Sequence, residues 1–197
     1  MAEDSPWRLF WGLMVLFGIA QLVYVGAVNP RILVHRMGLK KGTEPWDWVW
    51  LSVFMTAFVG MLLVAQADIE AGGALLPNRL RPVGVVLFVL GGGIFLRAMG
   101  ENPFFEKTVR IQQERDHHVV ETGPYSLVRH PGYVGLIVLI LSFPLVLTSP
   151  RALYLAGFAA VCVVVRTALE DRTLHAKLPG YSDYAGRVRW LLLPGVW

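Results

Sequence analysis

The segment Gly123-Pro124-Tyr125-Ser126-Leu127-Val128-Arg129-His130-Pro131-Gly132-Tyr133-Val134-Gly135 leads directly into the apolar run Leu136–Leu147. A cationic segment punctuated by Gly and Pro thus meets a stretch suited to lipid. Ionisable side chains at such a boundary are costly and are functional suspects. The plainer alternative is a loop before a helix, with Pro131 at the first helical position.

Composition independently indicates a membrane protein. Of the 197 residues, 55% are hydrophobic and 16% are charged, seven are Trp, and the mean hydropathy is +0.52. A soluble domain would carry about 25% charged residues. The apolar residues come in long blocks, which favours a bilayer over an aqueous core. The single cysteine, Cys162, excludes an intrachain disulfide.

Five apolar segments are long enough to be membrane spans. They are Trp7–Val28, Trp46–Gln66, Pro82–Met99, Gly132–Thr148 and Ala152–Leu169. Only Ser149-Pro150-Arg151 separates the last two, which predicts a tight helical hairpin. The first segment has an acidic flank and a long apolar core, so we expect a retained helix rather than a signal peptide. The predicted fold is all-α: one polytopic membrane helix bundle of about five helices, forming a single domain over residues 1–197.

The basic residues predict the orientation, because they concentrate on the cytoplasmic side. Fourteen of the 18 lie in segments expected on one face and four on the other. The fourteen are Arg31, Arg36, Lys40, Lys41, Arg97, Lys107, Arg110, Arg115, Arg129, Arg166, Arg172, Lys177, Arg187 and Arg189, and the four are Arg8, Arg79, Arg81 and Arg151. We therefore expect a protein of the cell inner membrane with an external N-terminus, a cytoplasmic C-terminus and the lipid bilayer as its partner.

A second polar group closes the last apolar segment, in the run Arg166-Thr167-Ala168-Leu169-Glu170-Asp171-Arg172. Arg166 and Glu170 are four residues apart and share a helical face. Such a spacing is often a surface salt bridge of a few tenths of a kcal/mol. Arg166, however, follows Val161–Val165 inside the apolar boundary, where an unpaired charge is expensive.

The full pattern G-P-Y-x-x-V-R-H-P-x-Y-x-G resembles the cofactor-binding signature of the isoprenylcysteine carboxyl methyltransferase and phospholipid methyltransferase superfamily. Its members are small all-helical membrane enzymes that use S-adenosylmethionine. They also carry an Arg four residues before an acidic pair, commonly Glu-Glu where this chain has Glu170-Asp171. The resemblance includes the tail around Leu178–Tyr184 and covers roughly residues 97–197, the expected cofactor-binding half. The first two spans match only in being hydrophobic.

The resemblance implies S-adenosylmethionine as cofactor, S-adenosylhomocysteine as product and an active site at the cytoplasmic face. Arg or His suits the cofactor carboxylate, Glu170 its ammonium, and aromatic surface its adenine and sulfonium. The predicted cofactor-binding residues are Val120, Gly123, Tyr125, Leu127, Arg129, His130, Pro131, Tyr133, Glu170 and Asp171. Arg166 is the predicted catalytic residue, since it could orient a carboxylate, and Asn102, Phe104 and Phe105 are predicted to bind the acceptor.

The remaining motifs argue against other chemistry. No Gly-rich loop follows a strand, so a Rossmann-type methyltransferase is excluded, and Gly91-Gly92-Gly93 indicates close helix packing. His117-His118 lacks the ligand spacing of a metal site, and no arginine-rich tract suggests nucleic acid.

The predicted reaction is methyl transfer to a lipophilic acceptor, with an isoprenylcysteine-type carboxylate preferred. A phospholipid or small-molecule acceptor, an NADPH-dependent sterol-type reductase and a non-catalytic membrane protein remain alternatives. The sequence identifies neither the acceptor, nor the oligomeric state, nor the role of Asp171.

Overall fold

Helices make up the regular structure of the chain, and no strand occurs in the part described. The computed structural model describes residues 5–30, 32, 42–72 and 75–197. The helices are α1 (Pro6–Val28), α2 (Pro45–Glu70), α3 (Arg81–Glu101), α4 (Pro131–Val146), α5 (Pro150–Lys177) and the short α6 (Tyr181–Arg187). The all-α prediction is confirmed. The predicted basic residues Arg31, Arg36, Lys40 and Lys41 lie outside the described residues.

Proline marks the start of each of the five long helices, at the first or second helical position, where its missing N–H costs nothing. Ser149 adds a side-chain cap to α5 by accepting a hydrogen bond from the Ala152 N–H at 3.1 Å. The helix α5 continues eight residues past the predicted end at Leu169. The apolar run predicts only the part of the helix inside the membrane. The polar turns beyond it still contain good helix formers, so the helix continues.

Four helical segments in the described part are long and apolar enough to cross a bilayer: α1, α2, the segment Asn78–Glu101 that includes α3, and α5. The protein is therefore an integral, multi-pass membrane protein. The predicted fourth span, Gly132–Thr148, is shorter than the other long helices: α4 has 16 residues, about 24 Å of helix. It ends at Val146, and Thr148 adopts a positive φ of 56°.

The closest helix contact joins α3 and α4 through glycine. A Cβ on Gly91 would lie 2.7 Å from the Leu139 nitrogen, and one on Gly135 would lie 2.5 Å from the Phe95 nitrogen. Neither position can hold a side chain, so the prediction that Gly91 serves helix packing is confirmed. Gly93 has open space around its Cβ position.

An aromatic core surrounds Phe143 on α4. The ring centroids of Phe10, Phe58 and Phe88 lie 5.3, 5.9 and 6.1 Å from it, which joins α1, α2 and α3 to α4. The helix α5 packs against both α2 and α4.

The helices α2 and α5 are tied at both ends by buried carboxylates of α2. Near the end of α2, Asp68 accepts hydrogen bonds from Ser149 and Arg151 at the start of α5. Near the start of α2, Asp47 contacts Arg166 in the second half of α5. The two carboxylates are 21 positions apart, about 31 Å along the helix, so Asp68 lies far from the polar residues around Glu170.

Candidate active site

A cavity of about 330 Å³ lies where the beginnings of α2 and α4, the end of α3 and the second half of α5 meet the loop 102–130. Its volume is in the range of small-molecule sites. Membrane helices contribute an apolar wall of Trp50, Leu51, Phe54, Phe95 and Leu136. Charged and polar side chains from the loop, α4, α5 and α6 line the rest.

Arg129 and His130 directly precede α4 and hold the C-terminal tail by their backbones. The Arg129 N–H donates to the Trp190 carbonyl at 2.9 Å, and the His130 N–H donates to the Leu191 carbonyl at 3.0 Å. The Arg129 side chain adds a hydrogen bond to the Val188 carbonyl at 3.1 Å. The tail is thereby fixed against the start of α4.

Asp171 is the centre of a buried polar cluster beside the cavity. Its carboxylate pairs with Arg129 at 2.9 Å, accepts a hydrogen bond from the Tyr181 hydroxyl at 2.7 Å and contacts His130 Nε2 at 3.3 Å. Burial and the adjacent Asp171 carboxylate raise the pKa of the Tyr181 hydroxyl well above its usual range, so the hydroxyl remains a donor. This cluster joins α4, α5 and α6.

Glu170, the neighbour of Asp171, lines the cavity instead. Its carboxylate accepts a hydrogen bond from the Tyr133 hydroxyl. The Tyr133 ring also stacks with His130, with centroids 5.8 Å apart and planes 18° from parallel. The arrangement leaves a carboxylate and two rings along one side of the cavity.

Arg166 is held by α2 and by the loop. Its Nε lies 2.9 Å from Asp47 Oδ1 without the alignment of a hydrogen bond, and its Nη2 donates to Asp47 Oδ2 at 3.2 Å and to the Lys107 carbonyl at 2.7 Å. The guanidinium lies 4.2 Å from the Trp50 ring centre and 5.5 Å from that of Tyr133. The partner of Arg166 is thus Asp47, although Glu170 has the i, i+4 spacing.

The segment after α3 closes another side of the cavity. Asn102 Nδ2 donates to the Tyr125 hydroxyl at 3.3 Å, and Phe104 stacks on His117 with centroids 4.3 Å apart. Phe105 packs edge-on against Phe95 on α3 at 5.3 Å. These contacts place aromatic side chains between the apolar and polar parts of the lining.

Known proteins resemble this chain in part of its sequence. A profile of the isoprenylcysteine carboxyl methyltransferase (ICMT) family matches residues 85–176, which include α3, α4 and nearly all of α5. Two relatives named probable protein-S-isoprenylcysteine O-methyltransferase, from Oryza sativa subsp. indica and subsp. japonica, are each 32% identical over 69 residues. Residues 85–176, a little under half of the chain, thus resemble the ICMT family. The aligned segment is 34% of this chain and 36% of each relative, so it spans about a third of their length.

A solved structure shares the ICMT fold along the whole chain. The eukaryotic intramembrane Ras methyltransferase ICMT superposes with a TM-score of 0.66 at 19% identity, covering 100% of this chain and 70% of that one. The superposition therefore extends to α1 and α2, which lie before the part matched by the ICMT family profile.

Most residues predicted from the ICMT signature line one cavity. They are Asn102, Phe104, Phe105, Val120, Tyr125, Arg129, His130, Tyr133, Arg166 and Glu170. The structure places four others outside the lining. Leu127 is 66% exposed, Pro131 is buried at the start of α4, Gly123 has a φ of +57° beside Glu101, and Asp171 faces Arg129.

The ICMT resemblance did not indicate the residues that α2 brings to the site. Asp47 holds Arg166, and Trp50, Leu51 and Phe54 form part of the apolar wall. Asp47 has a signal of its own in the sequence, since it is an acidic residue at the start of an apolar segment. Among the residues described, no three His, Cys, Asp or Glu side chains are grouped to hold a metal ion.

Proposed function

We propose that the protein is an S-adenosylmethionine-dependent membrane methyltransferase that acts on a lipophilic acceptor, with an isoprenylcysteine-type carboxylate as the preferred one. The observation that carries the proposal is that a single cavity combines an apolar wall from membrane helices with the charged groups of Glu170 and Arg166. The match of residues 85–176 to the ICMT family profile and the names of the rice relatives support this choice of reaction.

The residues present fit the cofactor. Glu170 is a carboxylate whose partner is a neutral hydroxyl, that of Tyr133, so it can accept an ammonium group. His130 is the better group for the cofactor carboxylate, because it contacts Asp171 only through Nε2, whereas Arg129 is paired with Asp171 through both Nε and Nη2. When bound, S-adenosylmethionine supplies a methyl group already activated by its positive sulfur. The protein then has to bind the cofactor and the acceptor, orient them and exclude water. Most of the rate enhancement therefore comes from holding the two reactants close together.

Arg166 is suited to orient the acceptor. Its Nε and Nη2 face Asp47 and Lys107, whereas Nη1 makes no hydrogen bond to a described residue. The Nη1 edge of the guanidinium is therefore left to donate to an acceptor oxygen. A two-point contact with an acceptor carboxylate through Nε and Nη2 is not possible while Asp47 holds that edge. The apolar wall around Phe54 and Phe95 would hold the hydrocarbon part, with Asn102, Phe104 and Phe105 beside it.

The proposal includes the arrangement in the membrane. The site lies at the cytoplasmic face of the inner membrane, α4 and α5 form the final hairpin, and residues 97–197 form the cofactor-binding half of a single domain. The cofactor then enters from the cytosol and the acceptor from the bilayer.

Ligand titration of the purified protein in detergent tests the cofactor. We expect S-adenosylhomocysteine to bind and NADPH not to bind, with the reverse result favouring a sterol-type reductase. Labelled S-adenosylmethionine offered with N-acetyl-S-farnesylcysteine or with phosphatidylethanolamine then tests the acceptor. Label in neither acceptor, with no binding of S-adenosylhomocysteine, would overturn the proposed function.

A further inference from the structure

Arg166 lies between two carboxylates that could each neutralise it. Glu170 is one helical turn away on α5, a spacing at which acidic and basic side chains pair readily in a helix. Asp47 comes from α2, 119 positions earlier in the chain. The charges of all three groups are close enough to interact. In the structure the ion pair forms with Asp47.

The surroundings of the two carboxylates explain this choice. Asp47 is 1% exposed, and an unpaired carboxylate there would be very costly. Besides Arg166, it accepts a hydrogen bond from the Val109 N–H at 2.8 Å. Glu170 lines the cavity and has the Tyr133 hydroxyl as a donor. The more deeply buried carboxylate therefore takes the cation.

Two further contacts hold the guanidinium on the Asp47 side. The Lys107 carbonyl accepts a hydrogen bond from Nη2 at 2.7 Å. The Cζ atom of the guanidinium lies over the Trp50 ring, 4.2 Å from its centroid. The Glu44 N–H donates to the Val109 carbonyl at 2.9 Å, so the loop segment that binds Asp47 and Arg166 is also fixed to the start of α2. The position of Arg166 is thus built by α2 and the loop together.

We propose that Asp47 is a positioning residue that keeps Arg166 from pairing with Glu170, so that both charged groups stay open to ligands of the cavity. That these ligands are the cofactor and the acceptor rests on the proposed function. The pairing of Arg166 with Asp47 does not. If Asp47 lost its charge, Arg166 would turn to Glu170. The cavity would then lose the carboxylate that accepts an ammonium, although Asp47 itself lines no part of it.

Affinity for S-adenosylhomocysteine, measured by calorimetry on the full chain, tests the proposal. We expect Asp47→Asn to weaken binding about tenfold, the scale of one charge-assisted hydrogen bond, and Glu170→Gln to do the same. Adding Arg166→Gln to Asp47→Asn should restore the affinity, because the competing cation is gone. Asp68→Asn is the matched control, since Asp68 is also a buried, Arg-paired aspartate of α2, and we expect it to change the affinity less than twofold. Equal losses for Asp47→Asn and Asp68→Asn, or no rescue by Arg166→Gln, would overturn the proposal.

A double-mutant cycle of melting temperatures, without cofactor, separates this inference from the proposed function. If Arg166 turns to Glu170 in Asp47→Asn, then Glu170→Gln should lower the melting temperature more in that background than in the wild type. Additive losses would overturn the positioning role even if S-adenosylhomocysteine binds. A wild-type protein that does not bind S-adenosylhomocysteine would overturn the proposed function and leave this cycle as the test. If Asp47→Asn cannot be purified, Arg166→Gln alone is informative: retained affinity supports the proposal, and a loss equal to that of Glu170→Gln contradicts it.

Discussion

Arg129 contacts the carboxylate of Asp171 at two points, with Nε 2.9 Å from Oδ1 and Nη2 3.2 Å from Oδ2. The same guanidinium donates to the carbonyls of Val188 and Arg189. One side chain therefore joins the start of α4 to α5 and to the tail. Arg189 and Val188 belong to a segment with no helix of its own, so this contact is a main determinant of its position.

Arg129→Lys should lower the melting temperature by several degrees. The planar fork is lost while the charge remains, and weakening a buried pair costs on the order of 1–3 kcal/mol. Thermal unfolding in detergent measures the effect. Arg97→Lys is the control, because Arg97 forms an exposed i, i+4 pair with Glu101. Equal melting temperatures for wild type and Arg129→Lys would show that the two-point contact is not needed.

His130→Ala and Tyr133→Ala should each weaken S-adenosylhomocysteine binding by roughly ten- to a hundredfold, the effect of ~1.5–3 kcal/mol. The reason is that both side chains line the cavity and Tyr133 orients Glu170. Tyr154→Ala serves as control because Tyr154 is 82% exposed on the outside of α5. Unchanged affinity in both site variants would mean that the motif only starts a helix.

Glu170→Gln and Arg166→Lys should separate cofactor binding from turnover. The first removes the carboxylate that faces the cavity, so the cofactor dissociation constant should rise. The second retains a charge near Asp47 but removes the Nη1 edge, so turnover should fall with little change in cofactor affinity. Steady-state kinetics and calorimetry on each variant provide the two readouts. Parallel losses of affinity, turnover and melting temperature in both variants would contradict these roles.

The free energy of unfolding should fall as the pH falls from about 6.5 to 4, because of the His117 ring. Burial, with the charges of His118, Arg110 and Arg115, lowers the pKa of His117 from 6.5 to about 4. In that window the unfolded chain binds a proton that the folded chain does not, so stability rises with pH, by up to about 3 kcal/mol in total.

The measurement is the melting temperature between pH 7 and pH 4.5. His117→Gln should flatten its slope, because the titrating ring is removed while an acceptor for the Gln112 N–H is kept. The exposed neighbour gives the control, His118→Gln, which should reduce the slope only in part, because it removes one of the charges that lower the pKa of His117 while burial still acts. An equally steep slope in His117→Gln would assign the pH dependence to other groups.

A reporter fused after Trp197 should be active only in its cytosolic form. We expect an odd number of crossings, because five spans would place fourteen basic residues on one face and four on the other. In that arrangement α4 would be a crossing helix, although it has only 16 residues. Reporters fused within the loop 102–130 and at residues 72–76 should give opposite readouts. An external signal from the Trp197 fusion would reverse the arrangement and remove the cytoplasmic site.

The helices could be predicted because they depend on local properties of the chain. Long apolar blocks and prolines at their starts give each segment its position to within a few residues, except where α5 continues into polar turns. The motif around His130 was likewise recognisable, since its members are close in sequence and cluster at the start of one helix.

The partners of the charged groups could not be predicted, because they depend on which helices pack together. The spacing of Arg166 and Glu170 places them on one face of α5. It does not predict that α2 packs against this face and brings Asp47 within 2.9 Å of Arg166. Asp171 follows Glu170 directly, yet the helical turn points the first at Arg129 and the second into the cavity. Hydropathy and motifs thus place ionisable groups at the membrane boundary. Tertiary packing then assigns each one a partner, because a buried charge takes whichever opposite charge the fold brings nearest.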